Sequence, residues 1–316
     1  MASCRPKHAF PLLALCLMLL AGIVAQAQER ASDGERALLL PTETPAGATD
    51  FSRGTVTFIG SATVLLEFAG FTVLTDPDFL RKGEQASLGA GLSAERLTDP
   101  AIEFEQLPAI DLVLLSHMHG DHLDPLLQQQ LARDMPIVTT PEAARVLGES
   151  GFRRRFGLAT WDRMTIRKGD AMLRITSMPA RRGPLLLAWA LPEAMGSMLD
   201  FITAEGNIAY RIYITGDTLL HDAIKDIPRR YPDIDLALLH LGGMKATGMG
   251  RVTMDAEQGV RMMQIVAPRH AVPIHFDDYD VFRSPIGDFE RQAQAAGLRA
   301  RLSFLRQGER YEFAGR

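Results

Sequence analysis

The chain has 316 residues, 47% of them hydrophobic and 23% charged, and a formal net charge of −4. That length and apolar content allow one large buried core or two smaller ones. The mildly acidic balance and the short, interrupted arginine clusters (Arg153–Arg155, Arg181-Arg182, Arg229-Arg230) give no electrostatic basis for nucleic-acid binding.

Arg5 and Lys7 precede an apolar stretch from Ala9 to Ala25, and Ala25-Gln26-Ala27 supplies a small-x-small cleavage site. This is the layout of a secretory signal peptide over residues 1–27. The apolar stretch is long for a signal, so an uncleaved membrane anchor is the alternative. Pro11 and the polar exit favour cleavage, which leaves no stable membrane insertion. Cys4 and Cys16 are the only cysteines and would leave with the signal, so the mature chain would hold no disulfide and no thiolate ligand. Leu13-Ala-Leu15 before Cys16 lacks the small residue of a lipoprotein site. A periplasmic or secreted location follows.

Residues 28–52, rich in Glu, Thr, Pro and Ala, are expected to be a linker before a domain over 53–316. Thr55–Ile59, Thr63–Phe68 and Phe71–Thr75 are β-branched apolar runs broken by Gly60 and Ala69-Gly70, which predicts a meander. Asp76-Pro77 stops the third strand, and residues 77–100 read as a long loop. After the strand Leu112–Leu115 comes His117-Met-His-Gly-Asp-His122. Residues two apart in extended chain point the same way, so His117 and His119 can face one cation. Gly120 lets the chain turn, which aims Asp121 and His122 at a neighbouring position. Neutral imidazole with carboxylate suits Zn²⁺, Mn²⁺ or Fe, one or two ions. The alternative is a hydrogen-bonded, pH-sensitive surface loop.

Asp124-Pro125 opens a helix expected to reach Ala132. A strand at Ile137–Thr139 and a helix at Pro141–Leu147 follow, then strands near Met164–Arg167 and Met172–Ser177. Residues 183–201, with Trp189, Met195, Met198 and Phe201, read as an apolar loop serving as core packing or as a lid. Ile208–Thr215 is a strand ending at Gly216-Asp217, and Asp235–Leu239 one ending at His240. Thr253 is expected to cap a helix to about Val266. His270–Ile274 ends at His275. Ser284-Pro285 starts a last helix closed by Gly297, and a hairpin at Gly308 is expected to finish the chain. His221 and His270 read as structural. Strands alternating with helices twice over argue for one α/β domain.

The window His117-x-His119-x-Asp121-His122 after a strand resembles the signature of the metallo-β-lactamase superfamily. Gly216-Asp217 and Pro273-Ile-His275 match its downstream motifs in order. Ala62-Thr-Val-Leu65, Leu74-Thr-Asp-Pro77 and Gly242-Gly243 are similar to the lactonase- and phosphodiesterase-like branch. The resemblance covers nearly all of residues 53–316 and implies a four-layer αβ/βα sandwich with a metal site at one edge. It implies that His117 and His119 bind a first ion, that Asp121, His122 and His275 bind a second, and that Asp217 bridges them. Asp76 would orient a ligand imidazole.

The sequence departs from that pattern where a third histidine for the first ion is expected. The position corresponds to Arg182, whose guanidinium has no lone pair to offer. Ser61 also stands where relatives often have His. His240 is the candidate to complete the first position. Arg182 would either anchor an anionic substrate group or mark a degenerate site. The implied function is an exported metal-dependent hydrolase acting through activated water on a small ester, lactone or phosphodiester, with Asp121 orienting or deprotonating the water. The alternative is a non-catalytic metal- or ligand-binding protein of the same fold.

Overall fold

The computed structural model describes residues 36–42, 45, 49–89, 91–183, 191–246 and 250–316. The expected signal peptide and Trp189 lie outside them. In chain order the strands are β1 (Arg36–Leu40), β2 (Gly54–Gly60), β3 (Thr63–Phe68), β4 (Phe71–Thr75), β5 (Gln85–Ser87) and β6 (Ser93–Glu95). Then come β7 (Leu112–Leu114), β8 (Ile137–Thr139), β9 (Arg155–Gly157), β10 (Arg163–Lys168), β11 (Ala171–Pro179) and β12 (Met195–Ile202). Last are β13 (Ile208–Ile214), β14 (Leu236–His240), β15 (Lys245–Ala246), β16 (Gly250–Arg251), β17 (His270–Ile274) and β18 (Arg310–Phe313). The α-helices are α1 (Pro125–Gln130), α2 (Pro141–Glu149), α3 (Ile227–Arg230), α4 (Ala256–Val266) and α5 (Ile286–Ala295).

One seven-stranded sheet runs β18-β2-β3-β4-β7-β8-β9, and the other β1-β10-β11-β12-β13-β14-β17. Side-chain alternation along each strand decides how they stack. Leu112 and Leu114 of β7 enter an apolar core shared by both sheets, whereas Val113 and Leu115 face Leu127 of α1 and Leu147 of α2. Leu236 and Leu238 of β14 likewise face inward, while Ala237 and Leu239 pack with Val260 and Met263 of α4 and Phe289 of α5. Phe68 meets Phe201 edge to face across the sheets, ring centroids 5.1 Å apart. The result is the expected order of helix, sheet, sheet, helix.

The connections then bring strand ends together. β4 runs parallel to β7 in one sheet, and β13, β14 and β17 run parallel in the other. Ligand sites in such sheets form beyond the carboxyl ends of parallel strands. Here those ends carry Asp76, the window 116–122, Asp217, His240 and His275.

Five expectations are corrected. Part of the stretch expected as a linker is β1, which pairs parallel with β10, and its Leu40 is 5% exposed in the shared core. Residues 195–201 are not a loop but belong to β12, buried along its whole length. Met195 and Phe201 pack in the shared core and Met198 on the outer face of the same sheet, which settles packing over a lid for these three. The last strand forms no hairpin with residues 302–305. Gly308 does turn, at φ 85°, but β18 crosses to the edge of the first sheet and pairs with β2. The cap of α4 is Asp255, whose side chain accepts from Gln258 N, while Thr253 Oγ1 accepts from Met244 N at 2.8 Å. α1 is shorter than expected, ending at Gln130.

Candidate metal centre

The window 116–122 leaves β7 as an irregular turn. His122 N and Leu123 N donate to His119 O at 3.1 and 2.8 Å, which folds Asp121 and His122 back beside His117. Gly120 is needed there for close approach: its N donates to Ser87 O at 2.7 Å, and a Cβ would lie 2.6 Å from Ser87 N. Asp124 then caps α1, accepting from Leu127 N at 2.7 Å.

Asp76, at the end of β4, anchors the window. Its Oδ1 accepts from Ser116 N at 2.6 Å, and its Oδ2 lies 3.2 Å from His122 Nδ1 and 3.4 Å from His240 Nε2. Ser116 Oγ lies 3.0 Å from His117 Nδ1 and 3.2 Å from His122 Nδ1. These contacts hold the inner ring nitrogens so that the outer nitrogens face the centre. Asp76 thus stands behind the His122 ring. Truncating such a partner lowers metal affinity about 10–100-fold. Asp76→Ala is expected to weaken binding by that factor, read by competition with a chromogenic chelator.

Asp217 follows Gly216, whose φ of 58° and lack of Cβ let the chain turn past the Met195 carbonyl. His275 itself sits in the left-handed region at φ 59°. Its N donates to Ser61 O at 2.7 Å, which pins that conformation from the neighbouring β2–β3 turn. Non-glycine residues held in this region cluster where a scaffold over-determines them for function.

Asp217 Oδ2 is 3.8 Å from His117 Nε2 and 3.6 Å from His122 Nε2. Asp121 Oδ2 is 3.7 Å from His122 Nε2 and 3.6 Å from His275 Nε2. Among the described residues three groups could hold an ion: His117–His122–Asp217, Asp121–His122–His275 and Asp76–His122–His240. All their members are buried. His117 Nε2, His122 Nε2, His240 Nε2, His275 Nε2, Asp121 Oδ1 and both oxygens of Asp217 have no hydrogen-bond partner. Buried polar atoms left unpaired are costly, so a convergent set of lone pairs fits a cation. The sequence-expected second position, Asp121–His122–His275, is therefore present as a group.

The first position differs from expectation. His119 belongs to none of the three groups. Arg182 Nη1 lies 3.2 and 3.3 Å from its two ring nitrogens, and Arg182 Nη2 lies 3.3 Å from Asp217 Oδ2. His240 does not complete that position either, since it groups with Asp76 and His122. The charges follow this layout. Burial and then the Arg182 charge hold His117 well below the usual histidine range and His119 down at about 3. Burial opposes ionisation of Asp121 and Asp217, but His122 and His275 outweigh it, joined by His119 at Asp121 and by Arg182 at Asp217, and both carboxyls are held low. Burial likewise disfavours the cation at His122, yet Asp121, Asp217 and Asp76 push its pKa well above the usual value.

Sequence reading missed the scaffold behind His275. Arg96, fully buried, pairs with Asp78 and donates from Nε to Thr98 O at 3.0 Å. Tyr279 OH donates to Asp78 Oδ2 at 2.7 Å. Thr98 Oγ1 donates to Asp278 Oδ1 at 2.6 Å, and Asp278 Oδ2 accepts from Ser61 N at 2.7 Å. Ser61 in turn holds His275 through its backbone carbonyl. An arginine in a loop carries no signal of burial by itself. His270 and His221 fall away from the centre, His270 Nε2 lying 2.9 Å from Ser303 Oγ and His221 preceding a 3₁₀ turn.

Comparisons with known proteins agree with this architecture. A family model described as the beta-lactamase superfamily domain matches residues 72–276. The chain is 26% identical over 252 residues to a UPF0173 metal-dependent hydrolase of Carboxydothermus hydrogenoformans, covering 77% of this chain and 93% of the relative. It is 27% identical over 268 residues to another of that name from Archaeoglobus fulgidus, covering 82% and 98%. Among solved structures it is similar to an isothiocyanate hydrolase from Delia radicum gut bacteria, with a TM-score of 0.71 and 22% identity over 82% of this chain and 99% of that one. A possible metal-dependent hydrolase of Veillonella parvula gives a TM-score of 0.68 at 18% identity, over 81% and 98% of the two chains. With its model spanning well over half of the residues, the chain belongs to the beta-lactamase superfamily.

Proposed function

We propose that this chain is an exported metal-dependent hydrolase acting on a small ester, lactone or phosphodiester. The observation that carries the reading is the buried cluster at the strand ends, where ring nitrogens of His117, His122 and His275, Oδ1 of Asp121 and Oδ1 of Asp217 converge without hydrogen-bond partners. The relatives named metal-dependent hydrolases support it. A divalent ion such as Zn²⁺ or Mn²⁺ in that donor set supplies Lewis acidity and a lowered water pKa. The chain's own residues do the rest. Asp121, with Oδ1 unpaired and its carboxyl held ionised, orients the water and accepts its proton. Asp76 and Ser116 hold the imidazoles in one orientation. Burial of the centre under the sheet edge keeps bulk water from competing. Export rests on the signal-like residues 1–27 and is checked by the mass of the mature chain, expected to begin after Ala27.

The contact of Arg182 with His119 and Asp217 is what favours the second reading, a non-catalytic ion-holding protein. A panel of ester, lactone, phosphodiester and isothiocyanate substrates separates the two. Zn²⁺- or Mn²⁺-loaded protein is expected to turn over one class and to lose that activity with a chelator. Absence of turnover across the panel, with the ion bound, selects the non-catalytic reading.

A further inference from the structure

Three buried carboxylates, Asp76, Asp121 and Asp217, converge on the centre, each no more than 2% exposed. Against them stands the guanidinium of Arg182, itself 4% exposed and paired with Asp217. Imidazoles hold a metal ion only as neutral rings, so in the ion-bound centre these groups set two uncompensated negative charges against the ion. One divalent ion neutralises that excess, and a second would leave the buried centre with two positive charges unbalanced. Buried charge is tolerated only when compensated.

The side-chain positions draw the same line. Arg182 Nη1 stands 3.2 and 3.3 Å from the two ring nitrogens of His119 and fills the space against that ring, whereas His117, His122 and His275 each keep a ring nitrogen without a hydrogen-bond partner. The guanidinium also spends Nη2 on Asp217, so both its terminal nitrogens are engaged by the protein rather than turned to a substrate.

We infer that Arg182 is a built-in cation standing where a second ion would sit, so that the chain holds one divalent ion at Asp121, His122, His275 and Asp217, and His119 is not a ligand. Arg182 is then a positioning residue: it fixes the carboxylate of Asp217 toward the single ion and fills the space between His119 and Asp217. This inference rests on the metal-centre reading above.

Elemental analysis after Zn²⁺ loading and dialysis tests it without reference to turnover. Wild type is expected to hold one ion per chain and His119→Ala to keep it, while Asp121→Asn loses it. Arg182→His replaces a fixed charge with a lone pair and is expected to raise the count to two. Two ions in wild type, loss of the ion in His119→Ala, or a count of one in Arg182→His overturns the inference and leaves the hydrolase reading standing. No ion in wild type overturns both. Should Arg182→His fail to fold, His119→Ala carries the test by itself.

Discussion

Asp121→Asn is expected to lose the bound ion and at least 10²-fold in turnover while keeping the fold. The lower bound comes from partners that merely orient a ligand, whose removal costs about 10–100-fold; Asp121 stands in the donor group itself. Asn keeps the shape of the side chain but removes the charge and any capacity to hold a proton. The melting temperature of the ion-free protein distinguishes a site residue from a structural one. Asp121 is buried close to His122 and His275, and its like-charged neighbours Asp76 and Asp217 surround the same His122. Removing one of three clustered carboxylates is expected to leave the ion-free melting temperature unchanged or raised. Unaltered ion affinity by chelator competition would falsify the assignment of Asp121 to the centre.

Arg96→Met carries the largest expected effect on stability. Removing one partner of a buried ion pair leaves the other uncompensated and costs about 3–5 kcal/mol. For a domain of this size that corresponds to a fall of roughly 10 °C in melting temperature. Burial already pushes the Asp78 carboxyl up to about 6 even with Arg96 beside it. Without that guanidinium the carboxyl moves higher and takes up a proton near neutral pH, measurable as proton uptake in a titration against wild type. The double substitution Arg96→Met with Asp78→Asn is expected to recover part of the loss, because the orphaned charge is gone. The Thr98–Asp278–Ser61 chain that ends on His275 begins at Arg96, so ion affinity should fall as well. A melting temperature within two degrees of wild type, roughly the shift from under 1 kcal/mol, would rule out the pair as a clamp.

Several elements were legible because local chemistry announces them. β2, β3 and β4 alternate or run apolar between glycines, and α1 and α2 each begin with a capping side chain followed by proline. β12 was not legible. It is a central strand covered on one face by the other sheet and on the other by helices, so it shows no alternation. It also carries Asp200, which reads as a loop residue until it is placed in register between Arg174 and Arg211 and bonded to the latter at 2.6 Å. β1 was hidden for another reason. Its five residues pair with a strand more than a hundred positions later, and no local pattern encodes that partner.

The candidate site divides along the same line. Sequence alone determined which imidazoles and carboxylates stand at the strand ends and in what order, because their spacing is a local property of 117–122, 217 and 275. It also singled out Arg182 as an expected departure from the pattern the motifs resemble. What Arg182 does was decided only by the tertiary structure. Arg182 follows β11 in one sheet and His119 follows β7 in the other, and only the stacking of the sheets brings the guanidinium onto His119 and Asp217. The same holds for the opening window. Its residues are neighbours in sequence, but His119 turns to Arg182 while Asp121 and His122 turn to His275 and Asp217. Charge compensation across the packed strand ends, which no local spacing encodes, separates the two halves.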